Sequence, residues 1–150
     1  LHDRLMKLGS KTVLDTLALI DKGNVTTTIQ KESPEIKTAY KLNKENCKID
    51  WTKPAIEIYN LIRGLNPYPS AWCFISDKNE EWNVKIHEAK MILEDHNYTV
   101  GRLICSKKEM KIAVKDGFIK VLSIQFPGKK KMSAPELLNG ITFSEDAKVY

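Results

Sequence analysis

Between residues 49 and 70 the chain reads IDWTKPAIEIYNLIRGLNPYPS. Ala55, Ile58, Tyr59, Ile62 and Leu65 recur at the spacing that lines up one face of an α-helix. Asp50 or Thr52 is placed to accept hydrogen bonds from the first turn, and Pro54 sits early enough that its missing N–H costs nothing. Gly64 and Asn66-Pro67 predict the stop, because a proline disfavours helical geometry at the residue before it. Pro69 keeps the exit extended, so one amphipathic helix with marked ends faces everything downstream.

The chain beyond Ser70 is strand-like. Ala71–Ser76 leads through a polar turn, Asp77–Glu80, into Trp82–Glu88, where Trp82, Val84 and Ile86 alternate. Lys90–Leu93 is an apolar patch, Glu94–Asn97 a loop, and Tyr98–Ser106 a strand bent at Gly101. Met110–Val114 meets Phe118–Phe126 across Asp116-Gly117, a strong short-range hairpin signal. Five or six short strands at near-regular spacing predict a mostly β fold with flanking helices, a small closed or nearly closed barrel. Tyr68, Trp72 and Trp82 read as packing aromatics, with stacking on unpaired bases as the other option.

After the last long strand comes Pro127-Gly128-Lys129-Lys130-Lys131-Met132, then Ser133-Ala134-Pro135-Glu136, a capping-box pattern opening a short helix that stops at Gly140. Three lysines beside a helix N-terminus gather positive charge and unpaired N–H groups. A phosphate site and a plain solvated loop both fit that corner.

Upstream, Leu1–Asp21 reads as a helix striped by Leu5, Leu8, Leu14 and Leu17, with Gly23 placed to close it. Such an apolar helix needs a surface to lie against, and nothing before it supplies one. With a first residue other than Met, this predicts a fragment whose helix packs on the barrel or a neighbour, or shows unusually exposed leucines. Val25–Glu32 is β-branched and reads as extended. Ser33–Lys48 reads as a linker whose Lys37, Lys41, Lys44 and Lys48 form either a solvated face or a phosphate-facing strip.

The 150 residues, 42% of them hydrophobic, suffice for one good core. No apolar run is long enough to span a membrane, and Leu1–Ile20 carries charges unlike a signal peptide. Cys47, Cys73 and Cys105 are scattered, as are His2, His87 and His96. The pattern therefore indicates no disulfide framework and no metal site, and it fits idle thiols in a reducing, cytoplasmic compartment. The net charge of +5 is uneven: successive thirds carry +2, −2 and +5. The excess in the last third is what a face meeting a polyanion would show.

Two stretches together resemble one family. K-I-D-W and I-R-G-L-N-P-Y-P-S within Cys47–Ser70, and P-G-K-K-K-M-S-A-P-E-L-L-N over Pro127–Asn139, are similar to the C-terminal portion of methionyl-tRNA formyltransferases. The linker K-L-N-K-E and the strand S-I-Q-F also resemble that family, and L-H-D-R-L-M-K-L-G looks like the last helix of its catalytic domain. Tyr68 departs from it, standing where tryptophan is common.

The resemblance implies residues 1–24 as the C-terminal helix of a truncated Rossmann-like catalytic domain, 25–48 as linker, and 49–150 as an OB-like barrel domain. It implies a complete, monomeric enzyme that moves a formyl group from the co-substrate formyl-tetrahydrofolate to initiator methionyl-tRNA. The family's catalytic Asn-x-His is not present; Asp95-His96-Asn97 has the residue types in another order and reads as a polar turn. The fragment is thus expected to be inactive alone, with no cofactor site, and to bind tRNA. Lys129, Lys130 and Lys131 are the first candidates for phosphate contacts, followed by Lys41, Lys44 and Lys48, then Arg63. A related formyltransferase acting on a sugar nucleotide or another amine, or a basic scaffold, is the alternative.

Overall fold

A computed structural model describes residues 1–150, which divide into two compact units, Leu1–Ala39 and Tyr40–Tyr150. In the first, α1 (His2–Asp21) has no buried residue, and Leu5, Leu8, Leu14 and Leu17 are each more than half exposed. That is the last of the outcomes expected for a helix without its surface. Gly23 closes it at φ +68°. Residues 25–32, read as extended, belong to no helix and pair in no sheet. β-branched side chains favour strands by packing on a half-buried pleated surface, and here every one is exposed.

In the second unit the central helix, α2 (Ala55–Leu65), buries Ala55, Ile58, Ile62 and Leu65. Its cap differs from expectation. Asp50 is spent on Thr52, accepting from its N–H at 3.0 Å and its hydroxyl at 2.6 Å. The first helical N–H, on Ala55, instead donates to Asp116 Oδ1 at 2.7 Å, from the hairpin turn 61 residues later. Gly64 does not end the helix, which runs one residue further before Asn66 turns extended.

Seven strands come next: β1 (Ala71–Asp77), β2 (Glu80–Leu93), β3 (Leu103–Cys105), β4 (Met110–Val114), β5 (Gly117–Gln125), β6 (Met132–Ser133) and β7 (Lys148–Val149). All pairings are antiparallel, in the order β3-β4-β5-β2-β1-β7, with β6 on β5. The two ends of this order meet. Leu103 N donates to Ala147 O at 2.9 Å and Val149 N to Gly101 O at 2.8 Å, so the sheet closes into a barrel. Gly101, at φ +84°, lies so near that a Cβ would stand 2.7 Å from Val149 O. Gly117 begins β5 opposite Leu93, and a Cβ there would collide with the carbonyl oxygen of Ile92.

The predicted segments Trp82–Glu88 and Lys90–Leu93 merge into one strand, β2, carrying a bulge between Ile86 and Ala89. β1 alternates in and out throughout, and its inward Cys73 and Ile75 join Val84, Ile86, Ile112, Ile119 and Ile124 in the core. Burial pushes the Cys73 thiol up to about 12 and the Cys105 thiol up to about 11, so neither is a ready thiolate. The short helix α3 (Ala134–Leu138) has the predicted capping box. Glu136 N donates to Ser133 Oγ at 3.3 Å, and Ser133 N to Glu136 Oε2 at 2.7 Å.

Candidate functional site

The bulge in β2 decides what the surface presents. An extra residue breaks the alternation, so Ile86 and His87 are both buried while Lys85 and Glu88 point outward. His87 then joins two loops. Ser70 Oγ, which donates to Pro67 O at 2.8 Å, lies 3.3 Å from His87 Nδ1. On the other side His87 Nε2 donates to Gln125 Oε1 at 3.2 Å, and Gln125 Nε2 to Lys129 O at 3.0 Å. Because the Lys129 carbonyl needs a donor, it fixes the Gln125 amide and with it the proton on His87 Nε2. The proline loop after α2 and the lysine loop after β5 are thereby tied into one piece.

The lysine corner is not three equivalent charges. Lys131 Nζ sits 2.7 Å from Glu88 Oε1, and that hydrogen bond holds the Glu88 carboxyl below its usual range. Lys129 and Lys130 are exposed and form no ion pair. Arg63, also exposed, donates to Asn60 Oδ1 at 3.2 Å and lines a shallow groove with Tyr59, His87, Glu88 and Lys90. Glu88 thus borders the groove that Arg63 lines and also holds Lys131, which brings these two candidates to one neighbourhood.

Lys41, Lys44 and Lys48 lie on another loop. Asn43 and Asn46 accept each other's backbone N–H at 2.8 Å, and Asn46 Nδ2 donates to Lys41 O at 2.8 Å, so this loop is internally braced. Trp72 Nε1 donates to Lys44 O at 2.7 Å, while the Lys44 and Lys48 ammoniums stand over the Trp72 ring at 5.4 and 5.6 Å. Lys48 also lies 5.4 Å from the Phe74 ring centroid and 5.7 Å from that of Tyr150, and is held by these rings rather than offered to solvent. Lys41 keeps its side chain exposed. Trp82 packs on Phe126 and Phe143 as expected. Tyr68 does not pack: it is 86% exposed.

No acid–base pair accompanies these cations. His96 Nε2 donates to the carbonyls of Val114 at 2.8 Å and Gly117 at 2.9 Å, and its Nδ1 accepts Tyr98 N–H at 3.1 Å. Both nitrogens are thus committed to backbone, and Asp95-His96-Asn97 is a structural clamp on the hairpin. His87 is occupied by side chains instead, with Nε2 on Gln125 and Nδ1 beside the Ser70 hydroxyl. No His, Cys, Asp and Glu cluster with metal-holding geometry exists. Sequence reasoning did not single out Lys85, His87 or Gln125, and it placed Tyr68 among the packing aromatics. Only Tyr68, isolated between two prolines, carries any local hint of exposure.

The fold is an edge-sealed antiparallel barrel with a capped helix on its wall and basic loops on its surface. The chain belongs to the family described as the formyl transferase C-terminal domain, whose model matches residues 41–142. Among named proteins it is similar to methionyl-tRNA formyltransferases. That of Flavobacterium johnsoniae is 68% identical over 150 residues, covering 100% of this chain and 48% of the relative. That of Bacteroides thetaiotaomicron is 42% identical over 153 residues, covering 99% and 48%. The chain spans about half the length of the curated relatives it matches. Among solved structures, HypX from Aquifex aeolicus matches 89% of this chain and 24% of its own with a TM-score of 0.54 at 18% identity, a likeness of fold.

Proposed function

We propose that this chain is the C-terminal, tRNA-docking part of a methionyl-tRNA formyltransferase. In this reading the complete enzyme transfers a formyl group from formyl-tetrahydrofolate to the amino group of methionine carried by initiator tRNA. The residues here bind and orient; they hold neither the folate nor the reacting amine. Residues 1–24 would end the catalytic domain, 25–48 connect, and 49–150 form the docking barrel, in a monomeric cytoplasmic enzyme.

The observation that carries the reading is the 68% identity along all 150 residues to an enzyme of that name. The surface supports it. Lys129 and Lys130 are exposed cations without carboxylate partners, on a loop that Gln125 and His87 anchor to the barrel. Contacts of this kind set register on a phosphate backbone without reading its sequence.

Filter binding of initiator tRNA to the 150-residue chain across a salt series tests it. Each phosphate contacted on duplex contributes about 0.9 to the slope of log affinity against log salt. Replacing Lys129 and Lys130 together by Ala should flatten that slope by up to about 1.8. A chain that retains no tRNA at low salt, or binds with no salt dependence, refutes the proposal.

A further inference from the structure

A groove of about 500 Å³ opens between the braced lysine loop and the proline loop, walled by Tyr68, Pro69, Trp72 and Leu42, with Lys44 and Lys85 at its rim. Its size is that of a small-ligand site. None of the residues lining it is acidic, so its charge is complementary to an anion that also carries an apolar face.

Tyr68 is the unexplained residue. Its ring pairs with no aromatic or cation of the chain and is 86% exposed, yet its backbone is firmly held. Ser70 closes the loop, with its N–H on Leu65 O at 3.0 Å and its hydroxyl on Pro67 O at 2.8 Å. Ser70 sits at φ +77°, a conformation unfavourable for a side-chain-bearing residue and maintained by these bonds. An aromatic ring presented on a pre-ordered loop loses little freedom when something stacks on it.

We propose that this groove takes one unpaired nucleotide of an RNA strand, its base stacked on Tyr68 and its flanking phosphates against Lys44 and Lys85. The inference rests on the tRNA-docking reading and deepens it. Bases paired in a duplex hide their faces, so this site selects single-stranded or flipped-out residues where the Lys129–Lys130 loop takes backbone alone.

The test uses fluorescence anisotropy at fixed salt with two probes, an oligouridylate and an abasic ribose-phosphate chain of the same length. The wild-type chain should prefer the base-bearing probe by about tenfold. Tyr68→Ala should abolish that preference while leaving abasic binding unchanged, and Tyr68→Phe should keep it. Tyr68 buries almost nothing, so the variant folds. Tyr68→Ala binding oligouridylate as tightly as wild type, with initiator tRNA still retained, overturns the stacking site and spares the docking reading. Preference for the base-bearing probe without retention of tRNA does the reverse, and a chain that binds neither overturns both.

Discussion

Removing the carboxylate of Asp116 should loosen a helix that begins 61 residues upstream of it. Asp116 Oδ1 accepts the N–H of Ala55 at 2.7 Å, and Ala55 is fully buried, so water cannot replace the lost acceptor. Loss of a cap typically costs about 1 kcal/mol. Leaving a buried N–H unpaired costs about 1–3 kcal/mol. Both figures describe the same lost bond, so Asp116→Ala should destabilise the barrel unit by about 2 kcal/mol. With a urea dependence of about 2 kcal/mol/M, the unfolding midpoint should fall by about 1 M. Asp116→Asn keeps an acceptor and the turn chemistry, forfeiting only the charge near the helix N-terminus, about 0.3–1 kcal/mol. Equilibrium urea unfolding followed by tryptophan fluorescence measures both variants. If Ala and Asn destabilise equally, or if Ala changes stability by less than about 0.3 kcal/mol, Asp116 is not the cap and the reasoning fails.

Two other outcomes concern the charged surface. Glu88→Gln should release Lys131, tightening tRNA binding and steepening the salt slope by up to about 0.9; an unchanged slope would mean that Lys131 faces no phosphate. Glu136 is held below its ordinary value of 4.5, chiefly by the Ser133 N–H and then its hydroxyl. A depressed carboxylate contributes stability that is present above 4.5 and disappears as pH falls through the folded value. The stability difference between wild type and Glu136→Gln should therefore shrink as pH is lowered below 4.5, and a difference that stays constant on acidification would contradict the capping box as an ionic device.

Much of the barrel was legible because its cues are local. Asp116-Gly117 sets the β4–β5 hairpin within two residues, Ser133 and Glu136 cap α3 within one turn, and β1 alternates as a half-buried strand should. Each of these depends on neighbours in the chain. The failures share the opposite cause. The cap of α2 arrives from 61 residues away, and the partner that neutralises Lys131 from 43. The bulge that turns His87 inward leaves no mark in sequence, since His and Glu both suit a solvated strand face. Tyr68 looked like core by residue type, and only the geometry of its loop turns the ring outward. For the candidate site, the sequence names the lysines but not their partners: which of them remain free depends on contacts that only the folded barrel brings together.

The outer edge of β1 is shared. Trp72 exchanges hydrogen bonds with Cys47 and Ile49, and Phe74, two residues along, exchanges them with Tyr150. The segment leading into α2 and the strand that closes the barrel are thus adjacent on a single strand, with Lys48 beside the rings of Phe74 and Tyr150. Loosening β1 would therefore free both at once, so the entry to the helix and the barrel's seam should open together rather than in turn.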